Sequence, residues 1–98
     1  MAQDLANLVF DFVAKIPNGK VATYGQIAYA VGTGPRVVGN ILHNNEDPEK
    51  FPCHRVVNAR GMVAPSYAFG GEDAQRRKLE REGIVFVKDK IDLKKYLF

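Results

Sequence analysis

The sequence predicts an α+β fold, mostly helical, built on a small winged helix-turn-helix-like core. Three observations carry this. Apolar residues recur at helical spacing in the first sixteen positions, two short helical segments flank Gly32-Thr33-Gly34, and two brief apolar, β-branched runs stand in the second half. With 98 residues the chain is expected to form one domain spanning 1–98, since two halves would each be too small to bury a core. Its composition, 46% hydrophobic and 26% charged, is that of an ordinary globular protein.

The first helix is expected over 4–16, where Leu5, Leu8, Val9, Phe12, Val13 and Ile16 share one face, and Pro17 with Asn18-Gly19 ends it. Thr23 is placed to cap a second helix running to about Val31. Pro35 suits the first turn of a third, which reaches about His43 before Asn44-Asn45 and Pro48. The pair with its glycine-containing turn is the helix-turn-helix. Gly39 stands in the middle of the third helix, at a cost of about 1 kcal/mol relative to alanine. It serves either close packing of a neighbouring helix or close approach of something from outside.

Phe51 to Val57 is expected to form a strand, closed by a turn at Asn58-Ala59-Arg60-Gly61. A loop with Pro65, Tyr67 and Gly70-Gly71 follows. Residues 72–82 read as a charged surface helix whose only apolar residues are Ala74 and Leu79, with Gly83 just past its end. Ile84 to Val87 suits a second short strand, and Asp92 is placed to cap a final helical turn carrying Leu93, Tyr96, Leu97 and Phe98.

The formal charge of +3 is modest, but its distribution is uneven. No carboxylate stands between Asp11 and Glu46, nor from Lys50 to Gly71, whereas Lys15, Lys20, Arg36, Lys50, Arg55 and Arg60 do. A face cleared of negative charge suits a polyanion, although core-rich stretches also lack acids. No segment has the apolar length of a membrane span or the pattern of a secretory leader, so no membrane association is expected and a cytoplasmic location is, or a nuclear one in a eukaryote.

One cysteine excludes an internal disulfide, and with only His43 and His54 as imidazoles no metal site is expected. Within Pro52-Cys53-His54-Arg55-Val56-Val57 a thiol adjoins an imidazole, the raw material of an activated nucleophile. On a regular strand the two side chains would point to opposite faces, so such chemistry needs a distorted backbone or a bridging water. The alternative is a buried, inert cysteine.

This hexapeptide resembles the active-site signature of the O6-alkylguanine-DNA alkyltransferases (methylated-DNA–protein-cysteine methyltransferases), specifically their C-terminal DNA-binding domain. Other segments fall in register with it. Thr23-Tyr24-Gly25-Gln26 resembles the segment with the family's helix-turn-helix tyrosine, Arg36-Val37-Val38-Gly39 the start of its recognition helix, and Asn45 its hinge asparagine. Tyr67 with Gly70-Gly71 resembles the substrate loop, and Glu82-Gly83 the last acidic landmark.

The resemblance implies a DNA repair protein that binds duplex DNA, flips O6-alkylguanine and transfers the alkyl group irreversibly to Cys53. It implies catalytic roles for Cys53, His54, Glu82, Tyr24 and Asn45, and DNA contacts from Arg36, Tyr24, Thr23, Gly39, Asn40 and Arg55. It implies a substrate pocket including Tyr67, Pro52 and Val57, with Arg36 filling the gap left by the flipped base. A monomer without cofactor or metal, acting on double-stranded DNA containing alkylated guanine, is the expectation. Each residue alone has a plainer reading: Tyr24 as packing at a helix start, Arg36 as a phosphate contact, Glu82 as a solvated helix end.

Two departures set an alternative. The family's full-length enzymes carry a further N-terminal domain, whereas this chain opens on the DNA-binding part. Its tail, from Asp73 to Gly83 and then Ile91 to Tyr96, resembles the short alkyltransferase-like proteins. Those usually replace the cysteine, bind alkylated guanine without repairing it and recruit excision-repair proteins. This chain keeps the cysteine in that shorter frame, with a Tyr67 loop a residue or two longer than in the enzymes. A generic helix-turn-helix regulator is the third reading, although it has no use for the Cys53 hexapeptide.

Overall fold

The computed structural model describes residues 4–64 and 67–98, so Pro65 of the expected substrate loop lies outside the described residues. Helix α1 spans Leu5–Ala14, with the Asp4 carboxylate accepting from the Ala6 amide as N-cap. It ends two residues before the predicted Ile16, which is nonetheless buried just past the helix. A two-residue strand β1, Ala22–Thr23, leads into α2, Tyr24–Val31. Thr23 and Gln26 form a reciprocal capping box there, and Gly32 closes the helix in the left-handed region at φ 81°. Helix α3, Pro35–His43, begins with the proline at its first turn as expected.

The predicted strand over 51–57 is replaced by two elements. Cys53–Arg55 form a 3-10 turn, and only Val56–Val57 are extended, as β2. Cys53 and Arg55 donate their amides to the carbonyls of Phe51 and Pro52, so local bonds take what a ladder would have used. Helix α4 covers Gly71–Arg81, strands β3 (Phe86–Val87) and β4 (Lys90–Ile91) form a hairpin, and α5 is the single turn Leu93–Tyr96 capped by Asp92.

Strand β1 pairs with β2 in parallel, Ala22 opposite Val56 and Thr23 opposite Val57, while β3 and β4 are antiparallel. The β1–β2 ribbon partitions the interior. Ala22 and Val56 face a core formed with α1, α2 and α3, centred on Val9, Val13, Ile27, Val38 and Leu42. Val21 and Val57 face a second core with Leu79, Ile84, Ile91 and Tyr96. Alternate side chains of one ribbon therefore serve two clusters. A parallel bridge between Val21 and Leu97 ties the last described residues to the same ribbon. Gly61 turns at φ 78°, and a Cβ there would lie 2.5 Å from the Ile91 carbonyl oxygen, so no side chain fits where the turn meets β4. Among the described residues no helix is long and apolar enough to cross a membrane.

Candidate active site and nucleic-acid face

Cys53 opens the 3-10 turn, 6% exposed, at a cleft of about 680 Å³. Helix α2 contributes Tyr24 to the lining, α3 contributes Arg36, Gly39 and Asn40, and the loop contributes Tyr67. A cleft of this size falls within the range of small-molecule sites. Tyr24 and Cys53 come together because the parallel β1–β2 ribbon runs directly into α2 on one side and follows the 3-10 turn on the other.

The turn departs from the regular strand that would send the Cys53 and His54 side chains to opposite faces. His54, buried beside Cys53, places its Nε2 2.9 Å from Glu82 Oε2. Glu82 stands just beyond α4 and is gripped a second time by Arg55, whose Nε and Nη2 reach its two oxygens at 2.9 and 2.8 Å. Burial pushes the Glu82 carboxyl up, but the bonds from Arg55 and His54 outweigh it, leaving it below the ordinary carboxylate value. An ionised carboxylate only accepts, so the neutral imidazole carries its proton on Nε2 and leaves Nδ1 with a lone pair. Burial lowers the His54 pKa, and Glu82 only partly offsets this, so the ring is neutral and able to take a proton.

Burial likewise raises the Cys53 thiol, against the Asn45 side chain, the charge of Lys78 and a local backbone bond, all of which favour the thiolate. The resting group is therefore a thiol, and a base is required for it to attack. Asn45 is itself fixed: its Nδ2 donates to the Phe51 carbonyl at 2.8 Å and its Oδ1 accepts from the Asp47 amide at 2.9 Å. Burial, then proximity to Cys53, raises the pKa of both Tyr24 and Tyr67, which keeps both as hydroxyl donors.

Several residues singled out in the sequence sit elsewhere. Arg55, expected on the DNA face, points inward, with Nη1 donating to the Ile16 carbonyl at 2.7 Å and the rest of the guanidinium on Glu82. Val57, expected in the pocket, is fully buried in the second core. Pro52 is buried as N-cap of the 3-10 turn and does not line the cleft. Thr23 spends its hydroxyl on the capping box. Arg36 and Asn40 are exposed on α3 at the cleft mouth. A Cβ on Gly39 would meet only Tyr24 Cε1, at an ordinary 3.9 Å, so nothing within the protein demands glycine at this point.

Two residues of α4 escaped the sequence reading. Gln75 is fully buried; its Nε2 donates to the carbonyls of His54 (3.0 Å) and Val56 (2.8 Å), and its Oε1 accepts from the Ala64 amide at 2.8 Å. It thereby clamps the Cys53 turn to the loop at Ala64. Lys78 donates to the Tyr67 hydroxyl at 2.6 Å. Neither carries a signal in a helix of such high charge, save that Gln75 lies four residues before the apolar Leu79, on the same face.

Residues 4–84 match the family described as the DNA-binding domain of 6-O-methylguanine DNA methyltransferase. Alkyltransferase-like protein 1 of Schizosaccharomyces pombe is 41% identical over 78 residues, covering 78% of this chain and 72% of its own length. The methylated-DNA–protein-cysteine methyltransferase of Saccharolobus islandicus is 46% identical over 76 residues, again 78% of this chain but 48% of its own. The chain spans 32% of a bifunctional methyltransferase/endonuclease of Picrophilus torridus, so it corresponds to only part of some curated relatives. Among solved structures, S. pombe Atl1 in complex with damaged DNA containing O6-carboxymethylguanine superposes with a TM-score of 0.84 at 35% identity, covering 100% of this chain and 98% of that one. With the family match spanning most of its length, and with Cys53 at the cleft followed by a His54 bonded to Glu82, the chain belongs to the 6-O-methylguanine DNA methyltransferase DNA-binding-domain family.

Proposed function

We propose that this protein repairs DNA by binding the duplex through α3, receiving a flipped O6-alkylguanine in the cleft and taking its alkyl group onto Cys53. The observation that carries this is the thiol of Cys53 at the cleft, next in sequence to a neutral imidazole already oriented by a carboxylate. Such an arrangement serves attack at carbon, and a protein that only recognises damage has no use for it.

In the proposed step Nδ1 of His54 takes the Cys53 proton through a water, and Glu82 supports the imidazolium. The sulfur attacks the alkyl carbon, an S–C bond forms and the C–O6 bond breaks. The electron pair leaves on the guanine, which Tyr24 supports by its hydroxyl, and the proton held on His54 returns through solvent to the guanine, leaving a neutral nucleobase and a neutral imidazole. The thioether is stable, so each molecule acts once. A base inside the stack is out of reach of a thiol this buried, which makes flipping a requirement. Arg36, exposed at the cleft mouth, is positioned to fill the vacated space.

A second reading, in which the protein binds the lesion and leaves it in place for excision-repair proteins, draws on the full-length likeness to S. pombe Atl1. Intact-mass spectrometry after incubation with a duplex containing O6-methylguanine separates the two. The expected outcome is a stoichiometric gain of one methylene on the Cys53 peptide, absent in Cys53→Ala. Tight lesion binding with no mass change over hours establishes the second reading instead.

A further inference from the structure

Lys78 stands in the last turns of α4, where the charge pattern suggests a lysine extended into water. It is folded back instead. Besides its 2.6 Å bond to the Tyr67 hydroxyl, its Nζ lies 5.0 Å from the centre of the Tyr67 ring and 5.7 Å from that of Phe69. The two rings meet edge to face at 5.7 Å. A long, flexible side chain gives up rotamer freedom to hold such a position, and the short bond to the Tyr67 hydroxyl beside the aromatic pair supplies the compensating attraction.

We propose that Lys78 is a positioning residue for the Cys53 site: anchored on Tyr67, it fixes one wall of the cleft and brings a positive charge to bear on the forming thiolate. The proposal deepens the alkyl-acceptor reading and rests on it for its part in repair, whereas the effect on the thiol is a property of the folded protein alone.

The groups around the thiol leave this task to Lys78. Tyr24 faces it from α2 and Tyr67 from the loop, and both stay neutral, because burial and the nearby sulfur disfavour their ionised forms. His54 is neutral, and Glu82 behind it is neutralised by Arg55. Arg36 and His43 line the cleft from α3, but both are exposed at its mouth, where solvent screens charge. Among the described residues, Lys78 is the cation whose charge shifts the Cys53 equilibrium toward thiolate, while burial works against it. The anchor matters as much as the charge, since an ammonium free in solvent is screened.

Iodoacetamide tests this without DNA, since the Cys53 thiolate displaces iodide from a small neutral reagent. The rate of that alkylation is followed by mass spectrometry from pH 6 to pH 10 for the wild type, Lys78→Met, Lys78→Arg, Tyr67→Phe and the exposed-strand control Lys90→Met. The midpoint of the profile is expected to move to higher pH in Lys78→Met, with a several-fold lower rate near neutrality. One unit of midpoint corresponds to about a tenfold change in thiolate fraction below it. Lys78→Arg is expected to hold the wild-type midpoint, Tyr67→Phe to shift in the same direction as Lys78→Met, and Lys90→Met to leave it in place. A Lys78→Met profile with an unmoved midpoint, whether superimposed on the wild type or merely lower at every pH, overturns the proposal. An equal shift in Lys90→Met does so too. Should Lys78→Met fail to fold, Tyr67→Phe decides by the same criterion. A wild type that never accepts methyl from DNA, but whose Lys78→Met midpoint moves, sinks the repair reading and leaves this one standing.

Discussion

Cys53, His54 and Glu82 illustrate how burial and hydrogen bonding pull in opposite directions on neighbouring groups. Burial raises the thiol and lowers the imidazole, so proton transfer between them begins from two neutral partners. Glu82 remains ionised because Arg55 and His54 both donate to it. The consequence extends to stability. His54 binds its proton less readily in the folded protein than in the unfolded chain, whose imidazole titrates near the ordinary 6.5. As pH falls through that value the unfolded state takes up more protons, so the stability is complete above it and is lost as pH drops toward the folded value. Glu82 acts in the same sense at lower pH, complete above the ordinary 4.5 and lost as pH falls through its depressed folded value. The thermal midpoint is therefore expected to decrease between pH 7 and pH 5 in the wild type and to decrease less in His54→Gln. An equal decrease in both, measured by thermal denaturation at pH 7, 6 and 5, would assign the acid sensitivity to other groups.

Among the elements, α3 shows a conflict between local stability and use. Gly39 weakens the helix by about 1 kcal/mol relative to alanine, and the interior has room for the missing methyl group. The glycine is accounted for if DNA approaches α3 more closely than a Cβ permits. Gly39→Ala is thus expected to raise the thermal midpoint while weakening binding to lesion-containing duplex several-fold. A titration showing unchanged affinity in the stabilised variant would remove α3 from the interface. The helices were legible because their signals are local: Thr23, Gly32 and Pro35 all act within a turn of their own positions. The strands were less so. Two-residue elements such as β1 and β4 are too short to show alternation, and β1 exists through a partner distant in sequence. The 3-10 turn at Cys53 carries the sequence signal of a strand because Val56-Val57 lend their β character to the residues before them. In the site, Cys53, His54 and Glu82 were found by resemblance. Gln75 and Lys78 were missed, since a buried amide and a folded-back ammonium look like solvent-facing residues in a charged helix.

For the whole molecule, the acid-free stretches of sequence coincide with α2, α3 and the Cys53 turn, so the elements that line the cleft carry no carboxylate, and Arg36 stands exposed among them. Binding to duplex DNA through that face is expected to release counterions, with affinity falling several-fold or more between about 50 and about 200 mM salt. Affinity that holds steady across that range, measured by fluorescence anisotropy, would point to a different contact surface. The architecture behind this face has two cores sharing one ribbon, with the nucleophile's turn at their seam. Ala22 meets Val56 only after the whole helix-turn-helix between them has been drawn in, a loop closure that local helix formation does not provide. Gln75 and Glu82 add two further long-range closures by reaching back from α4 and its end to His54. The thiol thus acquires its imidazole partner's carboxylate only when segments far apart in sequence have come together. A nascent or partly unfolded chain carries an ordinary, solvent-exposed cysteine, and the assembled chemistry of the site marks completion of the fold.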